Sequence, residues 1–255
     1  MSQIVANHVS KLYGGAESGA ATRALTDLHL VVHDNEILCI VGPSGCGKST
    51  FLNLVAGFIQ PSQGELTVNG KVVRGPGPDR GVVFQEDALF PWLSAVENVA
   101  FGPTLRGVRR SVAAERAMES LKLVGLEGFE HHLPKALSGG MKQRVAISRV
   151  LVNDPDVMLL DEPFSALDTF TRTTLQGELL RIWEHRKRTF VFVTHNVEEA
   201  VLLGNRVAVM AKTPEGGTLV QCITIELSRP RDTTSAEFND YKRQILTALH
   251  MDARL

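Results

Sequence analysis

The 255-residue chain has few cysteines, almost no net charge and no long apolar run, and each shortage closes off a class of protein. Cys39, Cys46 and Cys222 show neither metal-site spacing nor a paired disulfide framework, and reduced thiols fit a cytosolic setting. A formal net charge of -1 removes the overall electrostatic footprint of a nucleic-acid binder. No stretch approaches the roughly 20 apolar residues that cross a bilayer, so at a membrane a partner must do the spanning. The segment from Met1 to His8 has no basic start followed by an apolar core, which predicts no secretory signal. Long internal repeats and low-complexity segments are missing too. What the chain does have is 44% hydrophobic residues, enough for a sizeable core. Its length suits one large α/β domain, or such a domain with a helical insert.

Local patterns place the elements. Ile37–Val41 is a short continuous apolar run ahead of glycines and predicts a buried strand. A helix is expected from Ser49 to Ala56, stopped by Gly57. Leu66–Val68 and Lys71–Val73 flank Asn69-Gly70, the pairing that suits a type I′ hairpin turn. Val82–Phe84 predicts another buried strand. From about residue 86 to 154 the pattern turns helical. Ala114, Ala117, Met118 and Leu121 recur at helical spacing before Gly125, and Ser138 caps a second helix running to about Val152. Val157–Leu160 and Phe190–Val193 predict buried strands. Asp168 caps a helix carrying Leu175, Leu179 and Trp183. Asn196 with Glu199 forms a capping signal for a helix ended by Gly204. Strands from Arg206 and from Thr218 close the domain. A last amphipathic helix carries Phe238, Tyr241, Ile245 and Leu249 along one side, and packing on its own domain is its expected use. Strands alternating with helices imply an α/β fold built on a mostly parallel sheet.

Gly42-Pro43-Ser44-Gly45-Cys46-Gly47-Lys48-Ser49 matches G-x-x-x-x-G-K-[ST] between a strand and a helix, and the motif continues into Thr50. Glycines let backbone N–H groups turn inward around phosphate oxygens, and the helix N-terminus adds positive potential. Lys48 reaches the β- and γ-phosphates, and the Ser49 hydroxyl supplies one Mg²⁺ ligand. Cys46 occupies a variable position of the loop. Downstream, Asp161-Glu162-Pro163 follows a buried strand, at the sheet edge where open α/β sheets bind ligands. There Asp161 would hold Mg²⁺ through water, and Glu162 would polarise the attacking water as general base.

Leu137-Ser138-Gly139-Gly140-Met141-Lys142-Gln143-Arg144 resembles the signature motif of ABC ATPases, with Met141 where that family favours glutamine. The physical logic is a second anion site, in which Ser138, Gly139 and the Gly140 N–H face a γ-phosphate at a helix N-terminus. The resemblance extends, in the family's order, over residues from about 1 to 225. Gln85 resembles the Q-loop glutamine, a Mg²⁺ and water contact. Ser165-Ala166-Leu167-Asp168 resembles the D-loop, which touches the opposite subunit. His195 resembles the switch histidine that contacts the γ-phosphate, followed here by Asn196 where the family often has aspartate. Tyr13 resembles the aromatic that stacks on adenine. The fold implied is a P-loop NTPase core with an antiparallel β subdomain, an inserted α-helical subdomain at about 86–154, and a helical tail over 226–255. The function implied is hydrolysis of ATP with Mg²⁺ between two copies of the chain, driving a separate transmembrane permease.

Gly75-Pro76-Gly77-Pro78-Asp79-Arg80-Gly81, then Phe90-Pro91-Trp92 and Glu97-Asn98-Val99-Ala100-Phe101-Gly102, resembles one group of ABC importers, those for nitrate, taurine and aliphatic sulfonates. The taurine branch of that group is the nearest in length and tail. It implies taurine or a related sulfonate as solute, with nitrate, cyanate or pyrimidine precursors as alternatives. It also implies a periplasmic or lipid-anchored solute-binding protein and a place on the cytoplasmic face of the inner membrane. In the family a coupling helix of the permease docks near the join to the helical insert, where Phe90-Pro91-Trp92 lies. Two rival classes stay open. A soluble ABC ATPase acting on ribosomes or DNA would carry two cassettes or a long coiled-coil insert. A small-molecule kinase would leave the signature motif and His195 unexplained.

Overall fold

A computed structural model describes residues 3–14, 22–85 and 88–251. In chain order the elements are β1 (Ile4–Tyr13), β2 (Thr22–Val32), β3 (Ile37–Val41), α1 (Lys48–Ala56), β4 (Gln63–Val68), β5 (Lys71–Val72) and β6 (Arg80–Val83). There follow α2 (Ala95–Leu105), α3 (Arg110–Leu123), a 3-10 turn (Pro134–Ala136), α4 (Gly139–Leu151), β7 (Val157–Asp161) and α5 (Thr169–Arg186). The chain closes with β8 (Thr189–Val193), α6 (Val197–Leu203), β9 (Arg206–Thr213), β10 (Gly216–Thr224) and α7 (Ala236–Met251). The chain forms two compact units, one of Met1–Gly77 with Lys187–Leu255 and one of Pro78–Arg186. Residue 86, where the helical insert was expected to begin, and the chain end at 252–255 lie outside the described residues.

In the first unit the strands lie in the order β5-β4-β1-β2-β10-β9-β3-β8. β3 is buried along its whole length and pairs in parallel with both β8 and β9, which explains its unbroken apolar sequence. β1, β2, β4 and β5 form an antiparallel arm. The expected α/β class holds, with parallel pairing of β3 to β8 and β9 in the core and the expected antiparallel β subdomain in the arm, so the sheet as a whole is mixed. The Asn69-Gly70 turn has both residues at positive φ, 55° and 72°, as a type I′ turn requires. Gly57 ends α1 in the left-handed conformation at φ 81°, its N–H bonding back to Asn53 and Leu54. α7 packs on α6, β9 and β10, burying Phe238, Ile245 and Ala248, while Tyr241 and Leu249 stay half-buried.

In the second unit β6 and β7 pair in parallel, and α2 packs against α3 and α4. Val83 alone is buried in the strand expected at Val82–Phe84, and Phe84 is exposed. The buried side of α3 is Ala113, Ala117, Ser120 and Leu121, whereas Met118 is exposed. The apolar stripe is therefore turned by one residue from the expected one, because Ser120 is buried in a pair of hydrogen bonds with Ser148. α2 opens with a full capping box between Ser94 and Glu97. No helix among the described residues is long and apolar enough to cross a membrane.

Candidate functional site

The loop after β3 carries the phosphate-binding motif on the first unit. Gly45 and Gly47 sit at φ 78° and 94°, where side chains are rarely tolerated. A Cβ on Gly47 would lie 2.5 Å from Leu25 Cδ2 and 2.6 Å from the Ala24 carbonyl oxygen, and one on Gly42 would lie 2.7 Å from Cys46 Sγ. Glycine at these two positions thus lets the loop lie close against β2 and β9. α1 begins at Lys48 with no side-chain cap and no acidic residue in its first turn. Its N–H groups are left for an anion. Lys48 is 8% exposed and its Nζ donates to the Gly42 and Pro43 carbonyls at 2.8 and 2.9 Å, ready to exchange them for phosphate oxygens. Cys46 is buried, 3.8 Å from that ammonium, and burial pushes its thiol up despite the lysine. Ser49 is exposed and Thr50 half-buried in the first turn of α1, and Pro43 and Ser44 are exposed in the loop.

His195 stands at the same sheet edge. Ile40 pairs with Val193, and the Thr194 N–H donates to the Ile40 carbonyl at 3.1 Å, so the loops after β3 and β8 leave adjacent strands. Asn196 caps α6, its Oδ1 accepting from Glu198 and Glu199 N–H. Glu199 does not return to the Asn196 N–H as the capping signal suggested. Its buried carboxylate accepts from Thr194 Oγ1 at 2.7 Å, and Thr194 Oγ1 accepts from the Asn196 N–H at 3.0 Å. The hydroxyl mediates the contact and locks the backbone on both sides of His195. Tyr13 ends β1, 40% exposed, with Lys11 Nζ 5.3 Å from its ring centroid, leaving ring surface free for stacking.

The second unit gathers the remaining motifs. Val83 pairs with Leu160, so Gln85 and Glu162 each lie two residues beyond a paired position at one edge of β6 and β7. Asp161 is the last residue of β7 and is half-buried. Glu162 adopts φ 46°, an uncommon conformation for a non-glycine residue, and its carbonyl accepts from the Ser165 N–H and hydroxyl at 3.2 and 2.9 Å. Buried Gln143, on α4, donates to the Phe84 carbonyl at 3.2 Å and fixes the strand leading to Gln85. Ser138 caps α4 through the Met141 N–H. A Cβ on Gly140 would lie 3.1 Å from Leu167 Cδ2, so the second glycine lies against the segment ending in Asp168, while Gly139 faces open space. Asp168 caps α5, and the Thr171 hydroxyl and N–H hold its carboxyl below the usual range.

An aromatic cluster also lies on this unit. Phe90 packs at 4.5 Å from Phe101 and 5.8 Å from Trp92 between ring centroids. Trp92 is 72% exposed. Asn98, fully buried, fixes this loop by accepting from the Phe90 N–H and donating to the Phe90, Leu93 and Ser94 carbonyls. The sequence assigns no role to Asn98, Gln143 or Thr194, because their bonds to Phe90, Phe84, Asn196 and Glu199 form only on folding.

A parallel strand, a glycine loop and an uncapped helix define a phosphate-loop nucleotide-binding fold. The family model described as ABC transporter matches residues 25–165. The chain belongs to the ABC transporter family, as one of its ATP-binding proteins. An uncharacterised ABC transporter ATP-binding protein of Methanocaldococcus jannaschii is 50% identical over 232 residues, 91% of this chain and 86% of the relative. A taurine import ATP-binding protein of a Jannaschia species is 48% identical over 197 residues, 77% of this chain and 74% of the relative. Among solved structures, a dimeric ATP-binding cassette in a post-hydrolysis state with ADP and Pi superposes with a TM-score of 0.77 at 32% identity. That match spans 88% of this chain and 100% of the other.

Proposed function

We propose that the chain is the ATP-hydrolysing subunit of an importer for taurine or a related aliphatic sulfonate. The observation that carries the ATPase part is the uncapped N-terminus of α1 beneath a glycine-rich loop, with Lys48 resting on loop carbonyls that phosphate oxygens can replace. The solute part rests on the taurine import proteins among the relatives. In this reading ATP lies with its adenine on Tyr13 and its phosphates within Gly42–Thr50. Ser49 Oγ, the Asp161 carboxylate and the Gln85 amide carbonyl are all oxygen donors, the set that suits Mg²⁺. Mg²⁺ would neutralise charge building on the phosphates. Glu162 takes the proton of the attacking water, while Lys48 and His195 hold the γ-phosphate.

A second copy supplies Ser138, Gly139 and Gly140 to that phosphate, and the D-loop through Asp168 lies at the same contact. The dimeric cassettes among the structural relatives support this arrangement. The exposed aromatic loop at Phe90 and Trp92 meets a transmembrane permease, which receives solute from a periplasmic or lipid-anchored binding protein. The chain then works on the cytoplasmic face of the membrane. Uptake of labelled taurine in cells lacking the gene tests the proposal. Restoration by wild type but not by Glu162→Gln supports both parts. Unchanged taurine uptake with ATPase activity intact removes the solute.

A further inference from the structure

Helix α6 begins two residues after His195 and is held at both ends by the segment that follows β10. At seven residues it is too short to hold its place by helix propensity. At its C-terminal end Arg231 Nη1 donates to the carbonyls of Val201, Leu202 and Gly204, and Arg229 donates to that of Leu203. The last carbonyls of a helix have no partner within it, and here two arginines take them. Arg231 also donates to Ile225 and Leu227, which ties the start of the tail to the same point. Burial, and then the neighbouring Arg229 charge, push Arg231 down to about 10. It remains a cation at neutral pH, facing the negative end of the helix dipole. At the other end Glu198 pairs with Lys242 of α7 at 2.8 Å. α7 is anchored in turn by buried Phe238, Ile245 and Ala248.

The loop bearing His195 is tied down on both sides of the histidine. Before it, β8 is fixed in the sheet by its parallel pairing with β3. After it, Thr194, Asn196 and Glu199 bind the loop to the first turn of α6. Any shift of α6 along or about its axis therefore moves His195 relative to the phosphate loop of the same unit.

We propose that the tail, through Arg231 and Lys242, is the positioning element for His195, holding α6 where the hydrolysis step needs it. This rests on the reading of His195 as a γ-phosphate contact. Arg231 and Lys242 touch no nucleotide and act through α6 as positioning residues.

The test is steady-state MgATP hydrolysis by the purified full chain. In Arg231→Ala, kcat should fall about tenfold, the scale of a lost transition-state contact, with KM for ATP within about twofold. The conservative Arg231→Lys should recover part of the loss, since it keeps the charge but not the fork. Adding Arg231→Ala to His195→Ala should bring little further loss, because both remove one contribution. A surface pair guards against misfolding. Lys242→Glu should lower kcat by about two- to fivefold, the scale of an exposed ion pair, and the swapped pair Lys242→Glu with Glu198→Lys should recover it. Unchanged kcat in folded Arg231→Ala and in Lys242→Glu, or losses that multiply with that of His195→Ala, overturns the proposal. If His195→Ala alone leaves kcat intact, the assignment of His195 is what fails.

Discussion

Asn98 is the side chain whose loss should tell most about the aromatic loop. It is fully buried, and its four hydrogen bonds run to the loop from Phe90 to Ser94 at 2.8 to 3.1 Å. In Asn98→Ala the Phe90 N–H and the Leu93 carbonyl lose their partner at half-buried positions. At about 1–3 kcal/mol for each fully buried group that loses its partner, the low end applies here, about 1–3 kcal/mol for the two together. The Phe90 and Ser94 carbonyls keep second partners, in the Leu93 and Asn98 N–H groups, and add little. Asn98→Asp sharpens the test. It keeps an acceptor for the Phe90 N–H but turns a second acceptor toward three carbonyls, so at neutral pH it should be less stable than the alanine variant. Burial raises the pKa of such a carboxyl above its unfolded value. Its penalty therefore grows as pH rises through the ordinary carboxylate range toward the raised folded pKa, and shrinks in acid. Urea unfolding followed by tryptophan fluorescence measures both variants, with buried Trp183 reporting the surrounding unit. An alanine variant within about 0.5 kcal/mol of wild type, the range of a neutral surface change, would refute the reasoning. So would an aspartate variant more stable than the alanine one at neutral pH.

Three further outcomes follow from the same structure. Gly47→Ala places a methyl against Leu25 and the Ala24 carbonyl at φ 94°, so it should cost about 1–3 kcal/mol and weaken ATP binding in a nucleotide titration. Phe238→Ala empties a fully buried site beneath α7 and should cost about 3–5 kcal/mol in denaturant unfolding. The Ser94 N–H and hydroxyl hold the Glu97 carboxyl below its usual range. Folding favours the charged form, so the stability gap between wild type and Glu97→Ala should persist at neutral pH and close as pH falls through the lowered folded pKa.

What the sequence could disclose follows the range of the interaction. The phosphate loop, the Asn69-Gly70 turn and the caps at Ser138, Asp168 and Asn196 are local, and each is readable as a short pattern. β1 and β2 are not, although Ile4, Ala6 and Val9 and then Leu28, Leu30 and Val32 are buried. His8 and Asp27 adopt positive φ, and register shifts interrupt the pairing three times, so alternation breaks where the eye would look for it. α2 has a local signal in the Ser94–Glu97 box at its start, but Gly102 and Pro103 near its end break the helical pattern. Met118 misled because helical spacing fits two neighbouring stripes, and the Ser120–Ser148 pair chooses between them. Arg231 carries no pattern at all: its partners on α6 are backbone carbonyls 27 to 30 residues away, visible only once the chain is folded.

The most direct test of the central claim is ATP binding, turnover and association in Glu162→Gln. Removing the base while keeping its size should leave ATP bound, reduce turnover to near the uncatalysed level, and accumulate a two-copy complex in size-exclusion chromatography with MgATP. Hydrolysis at the wild-type rate in that variant would contradict the account.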